Sequence, residues 1–225
     1  MYNIHAERSA GWSGLAFLVV VFVASLLYGG APPAISASAP AIGAFLSAHH
    51  QIALVGNWLS LPASFFFLWF AVGVRAHLAH SAGPADGLPL YAISGAIASV
   101  AIALTSAAVL GVLLLTAVPT DDLPGWWGLY MLLGGPILIA ATVVFVFAAA
   151  HSMRRHGSAP QGLAMFGYLA AFGGTLSTLS LVFPAGPMSA TGWVTIVLGL
   201  GLFALWVIAT SIWLIRSGGT AAPTP

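Results

Sequence analysis

Residues 51–75 read QIALVGNWLSLPASFFFLWFAVGVR, a run of 24 residues without a charged or imidazole side chain that ends on Arg75. As a helix it is about 36 Å long at 1.5 Å per residue, enough to cross a hydrocarbon core of about 30 Å. Its apolar residues fall on every side of that helix, the pattern of a segment surrounded by hydrocarbon or protein rather than one with a wet face. Within it Gly56, Ser60 and Ser64 recur every four residues as a strip of small side chains. Asn57 and Trp58 flank the strip, and Pro62 lies inside the run.

The pattern recurs on both sides. Residues 12–30, 90–118, 126–150, 162–183 and 191–215 are also long and apolar enough to span a bilayer. Pro32-Pro33, Pro119 and Pro184 close the first, third and fifth of the six runs. Trp12, Trp126, Trp127, Trp193 and Trp213 stand at run ends, where an amphipathic ring favours the headgroup layer. The chain of 225 residues has five arginines, no lysine and four acidic residues, so only 4% of it is charged while 60% is hydrophobic. Soluble domains carry about a quarter charged residues, and a water-facing shell cannot be built from this composition. The expected fold is all-α: a single six-helix transmembrane domain over residues 1–216, followed by a disordered tail at 217–225.

Arginine orients the helices. Arg8 precedes the first run, Arg75 follows the second, Arg154-Arg155 the fourth and Arg216 the sixth, so six alternating spans put all of them on one side. The positive-inside rule makes that side cytoplasmic and places both termini there, with Asp121-Asp122 outside. The first run also has features of a secretory signal, with Arg8 before it and Ser36-Ala37-Ser38 beyond it. The length of its apolar stretch and the presence of Glu7 favour a retained span. In the longest connection, residues 31–50, Ile42, Phe45 and Leu46 fall at helical spacing and predict a short amphipathic helix lying on the outer surface. Gly-Leu pairs at 14, 87 and 162, spaced by 73 and 75 residues, admit three helical hairpins in parallel repetition. The positive-inside rule alone generates much of the same appearance.

The six cores contain no Asp, Glu, Lys or Arg. That argues against a proton-coupled transporter, a retinal protein and an acid-initiated terpene cyclase, each of which needs a buried ionisable group. The absence of cysteine removes disulfides, thiolate metal sites and a cysteine nucleophile. A net charge of +1 without a basic cluster gives no case for nucleic acid.

Histidine remains. His77 and His80, three residues apart beyond Arg75, share a helix face. His151 ends the fourth run at a similar depth, with His156 beyond it, so His77, His80 and His151 are candidate ligands for Zn, Cu or Fe. The competing reading makes them polar residues at helix ends, favoured by the helix dipole, and on that reading no cofactor is expected. His49-His50 opens the second run facing Asp121-Asp122; adjacent helical residues diverge by about 100° and serve one metal poorly. The intramembrane candidates for a small-ligand pocket are Asn57, Trp58, Ser60, Ser64 and Thr105, near Ser106 and the kink expected at Gly134-Gly135-Pro136. The same small strip also serves plain helix packing. A second stripe, Gly173-Gly174-Thr175 with Ser177, Thr178 and Ser180, is placed to face the first, although such hydroxyls commonly bond their own backbone.

A Pro- and Ser-containing outer loop leads through AFLSAHH (residues 44–50) into the second run, which ends in GVRAHLAH (residues 73–80). This layout resembles a diffuse group of bacterial six-helix integral membrane proteins of unknown function. The resemblance covers most of the length, implies a multi-pass place in the bacterial cytoplasmic (plasma) membrane, and transfers no active-site residue. The expected function is a noncatalytic helical bundle, either an accessory or partner subunit or a binder of a small lipophilic molecule. Its partners would be the bilayer and another membrane protein or a second copy of itself. The alternative is an integral-membrane enzyme or redox protein using the histidines.

Overall fold

In a computed structural model, residues 4–27, 32–83, 85–183 and 186–217 are described, with side chains from residue 7 onward. Of the tail expected at 217–225 only Ser217 is among them. The described residues contain no strand. They form α1 (Ile4–Leu27), α2 (Ala39–Ala82), α3 (Leu88–Leu115), α4 (Leu123–Leu132), α5 (Leu138–His156), α6 (Gln161–Ser177), α7 (Trp193–Thr195) and α8 (Leu202–Ser217). A kink at Leu133–Ile137 joins α4 to α5, and a π-helical turn, Ile196–Gly201, joins α7 to α8. The result is six helices long and apolar enough to cross a membrane, the arrangement of a multi-pass membrane protein.

The six spans close into a ring. α1 packs on α2, α2 on α3, α3 on α5, α5 on α6, α6 on α8, and α8 returns to α1; α2 also reaches α5 across the middle. Because the helices alternate in direction, Arg8, Arg75, Arg154, Arg155 and Arg216 gather at one end, termed here the arginine end. In that half the centre of the ring is filled by rings meeting edge to face. Phe67 and Phe145 lie 5.5 Å apart between centroids, and Phe145 and Trp206 lie 5.7 Å apart. Small residues allow the backbones to approach this closely, as at Gly95, where α3 lies directly on the backbone of α5.

Two expectations are corrected at the far end. Residues 39–50 do not form a separate helix on the outer surface but continue into span two as one helix of 44 residues. No breaker interrupts them between Pro40, which is tolerated in the first turn, and Pro62. Their apolar side has a partner within the protein: Ile42, Leu46 and Ala53 pack with Leu110, Leu113, Leu114 and Trp127 in a small second core. Trp127 is therefore not an interfacial anchor. It is 1% exposed and donates its indole N–H to the Pro33 carbonyl at 3.2 Å.

Candidate functional site

Three irregularities in the helices flank one space. Pro62 has no N–H to give the Trp58 carbonyl, which leaves α2 one backbone bond short. In the turn before α5, Gly135 leaves the helical region (φ −108°, ψ −109°) just ahead of Pro136. The π turn before α8 carries Gly199 and Leu200. Such turns insert a residue, widen the helix and shift its side chains out of register with their neighbours. Residues beside all three, among them Ser60, Ser64, Leu138 and Gly199, line a cavity of about 700 Å³ within the ring, in the half away from the arginines.

The cavity wall is aliphatic and aromatic, with no charged or imidazole side chain. Its hydroxyls are largely occupied within their own helices: Ser60 donates to the Asn57 carbonyl at 2.6 Å, Ser99 to Gly95 at 2.8 Å and Thr142 to Leu138 at 2.9 Å. Ser64 makes no side-chain hydrogen bond among the described residues. Phe17, Phe67 and Phe203 form the floor, in mutual contact at 5.0, 6.0 and 6.3 Å between centroids.

Of the five candidate pocket residues, Ser60 and Ser64 line the cavity, as does Gly56 of the same strip. Gly174, from the second stripe, lines it as well. Trp58 points away from the ring at 61% exposure, and Thr105 is exposed and bonds the Ala101 carbonyl. Asn57 faces α3 instead, where its Nδ2 donates to the Ala107 carbonyl at 3.0 Å. Asn57→Leu is expected to loosen this contact by about 0.6 kcal/mol, the average for such interhelical bonds. It should leave the cavity unchanged, and a thermal-unfolding series with and without an apolar ligand separates the two effects. The contributions of α1 and α8 to the cavity were not visible in the sequence, because Phe17, Phe22 and Phe203 read as lipid-facing residues like any others. The nearest signals were the breakers Pro62 and Gly134-Gly135-Pro136.

At the arginine end the histidines have partners of their own. His77 Nδ1 is 2.5 Å from Glu7 Oε1, and its Nε2 is 3.0 Å from the Ser158 carbonyl oxygen. Two oxygen acceptors require a proton at each contact, so His77 donates at Nε2 and shares or donates a proton at the Glu7 contact. The ring also meets Trp213 edge to face at 4.5 Å. Glu7 is only 5% exposed, which corrects the reading of the first span. α1 starts at Ile4, earlier than the expected residue 12, and brings an acid into the bundle. The signal was legible: Glu7, Gly11 and Gly14 fall at i, i+4 and i+7, on one helix face.

A second carboxylate ties the α2–α3 connection to α5. Asp86 accepts from the Leu88 amide at 2.8 Å and from His156 Nε2 at 2.5 Å, with Arg155 at 3.9 Å. The Leu88 amide, followed by His156 and the charge of Arg155, holds its carboxyl below the ordinary 3.8 against the opposing effect of burial. The folded state therefore binds this proton less readily than the unfolded chain. The contribution is fully present above pH 3.8 and is lost as the pH falls through the lower folded value. Asp86→Asn should flatten the fall of the melting temperature with acid in that window, and an unchanged acid limb would count against the contact.

His151 Nδ1 lies 2.7 Å from the Tyr168 hydroxyl, with its ring stacked on Phe147 at 5.9 Å, while His80 is exposed on the last turn of α2. Among the described residues no three His, Asp or Glu side chains form a group fit for a metal ion. At the far end His49 donates to the Phe45 carbonyl and His50 to that of Leu114, each at 2.9 Å, whereas Asp121 and Asp122 are exposed. The chain matches no family model, no curated protein and no solved structure.

Proposed function

We propose that the protein is a noncatalytic membrane bundle that holds a small lipophilic molecule at the centre of its helix ring. The observation that carries this reading is the cavity: about 700 Å³, lined by all six spans and walled by uncharged side chains. That volume falls within the range of about 300–1,000 Å³ typical of small-molecule sites. Water is poorly held by such a wall, because a buried water needs two to four polar partners. The wall has no carboxylate or imidazole to serve as acid or base to a hydroxyl nucleophile, which supports binding rather than catalysis.

On this reading the arginine end faces the cytoplasm of a bacterial cell and the cavity lies in the outer half of its plasma membrane. The surrounding bilayer is the source of ligand, and the long exposed apolar faces leave room for an accessory role beside another membrane protein or a second copy. The Gly-Leu spacing admits three helical hairpins in parallel repetition, stacked as one bundle. An enzyme or redox protein built on His77, His80 and His151 has no comparable observation in its favour, since His77 and His151 are engaged by Glu7, Ser158 and Tyr168.

The test is a titration of purified protein with an uncharged apolar probe, followed by thermal unfolding. Saturable stabilisation is expected, about 2.7 kcal/mol at a hundredfold excess over Kd. Ala103→Phe and Ala204→Phe, which put rings into the cavity, should each abolish the stabilisation. A wild-type protein that gains no saturable stabilisation from any such probe would sink the proposal.

A further inference from the structure

The cavity has a mouth, and the exposure of its wall locates it. A residue that both lines a cavity and is exposed stands at the opening. Among the described residues, every wall residue of that kind comes from α1 or from the last span: Val19, Val21, Phe22 and Ser25 on one side, Leu200 and Ile208 on the other. No wall residue of α2, α3, α5 or α6 is exposed. α1 has the least buried apolar window of the six spans, at 22%. It packs along α2 and on α8, but scarcely meets the turn at residues 196–201. A Cβ on Gly11 would lie 2.7 Å from the Ser211 carbonyl oxygen, and one on Gly14 2.7 Å from the Phe70 ring. α1 and α8 therefore touch at that end and leave a slot between them at the level of the cavity.

Resting on the reading of the cavity as a ligand site, we infer that this slot is a lateral portal through which the hydrocarbon chain of a bilayer lipid enters the ring. The portal is rimmed by aliphatic and aromatic side chains and one serine, which donates to its own helix at Val21. Its natural neighbour in a membrane is an acyl chain. An unfilled apolar space forfeits dispersion contacts along its whole wall, and a chain sliding in sideways restores them without desolvating any charge. The Phe17–Phe67–Phe203 floor stops the chain short of the arginine end. The arginines gather beyond that floor, so the wall selects for hydrocarbon and the lipid head stays outside the ring.

The chain has no native cysteine, which allows a clean experiment. The protein is reconstituted in phosphatidylcholine vesicles containing phosphatidylcholine with a diazirine near one chain terminus, irradiated, and mapped for adducts. Adducts are expected on the buried wall, at Gly56, Ala63, Val100 and Gly174, as well as on outward positions such as Phe65. Bridging the slot with a thiol crosslinker between Val21→Cys and Leu200→Cys should lower buried-wall labelling about tenfold. Labelling at Phe65 should stay constant, and the double-cysteine protein without the crosslinker is the reference against which the loss is read. Buried-wall labelling that survives the bridge overturns the portal. A small apolar diazirine run in parallel separates the levels: if it labels the buried wall and the lipid probe does not, the lipid-chain inference fails while the ligand site stands. If neither reaches the wall, both fail.

Discussion

Glu7→Ala is expected to destabilise the protein by about 3 to 5 kcal/mol, the cost of stripping one partner from a buried ion pair. Glu7 and His77 are 2.5 Å apart with side chains 6% and 14% exposed, so neither is rescued by water when the other is removed. Glu7→Gln, which keeps a hydrogen-bonding group without the charge, should lose less. The informative variant is the double replacement Glu7→Leu with His77→Leu. Removing both groups together leaves no buried charge and strands the Ser158 carbonyl, so stability should recover part of the single-mutant loss, a coupling that a double-mutant cycle in detergent measures directly. A loss below about 1 kcal/mol for Glu7→Ala would place the pair among surface ion pairs and refute its role as the anchor of α1. That anchor matters because it ties the first turns of α1 to α2, beside the place where Gly11 meets α8.

Gly95→Leu is the second large effect, with an expected loss of about 3 kcal/mol or more from overpacking. A Cβ at this position would stand 2.5 Å from the Phe145 nitrogen and 3.0 Å from its Cα. These are backbone atoms of a helix, so no side-chain rotation relieves the clash and α3 must part from α5. Phe145 would move with its helix, disturbing its edge-to-face contacts with Phe67, Phe70 and Trp206. Gly125→Ala is the control, because a Cβ there meets nothing within 4 Å. Thermal unfolding of the two variants should separate them clearly, and near-wild-type stability for Gly95→Leu would mean that the helices are not in backbone contact.

The span assignments were legible because each depends on a local property. A run such as residues 51–74 declares itself through the absence of charge, and Arg75 marks where it ends. Span ends were less legible. The helix through residues 39–50 read as separate because Pro40 and the Ala/Ser-rich connection look like a boundary, whereas Leu110, Leu113, Leu114 and Trp127 supply the apolar partner that keeps it continuous. Of the pocket candidates, the strip residues Ser60 and Ser64 were found by their four-residue spacing. Trp58 and Thr105 were chosen on sequence proximity and polarity, which do not say which side of a helix faces inward when all sides are apolar. Glu7 was assigned to the flank rather than the bundle because its partner His77 lies 70 residues away.

The sequence by itself determined that the protein is helical, that six helices are long and apolar enough to cross a membrane, and that arginine collects at one end. It could do so because the cost of placing charge or unpaired backbone in hydrocarbon is levied residue by residue. Which faces meet was decided only in the tertiary structure. With apolar side chains all round each helix, hydropathy gives no inward direction. That direction comes from small residues that let backbones touch, from the kinks at Pro62 and Gly135, and from the closing contact of α8 with α1. The cavity, its mouth and the burial of Glu7 all follow from that closure, since each is built from side chains that become neighbours only when the ring is complete.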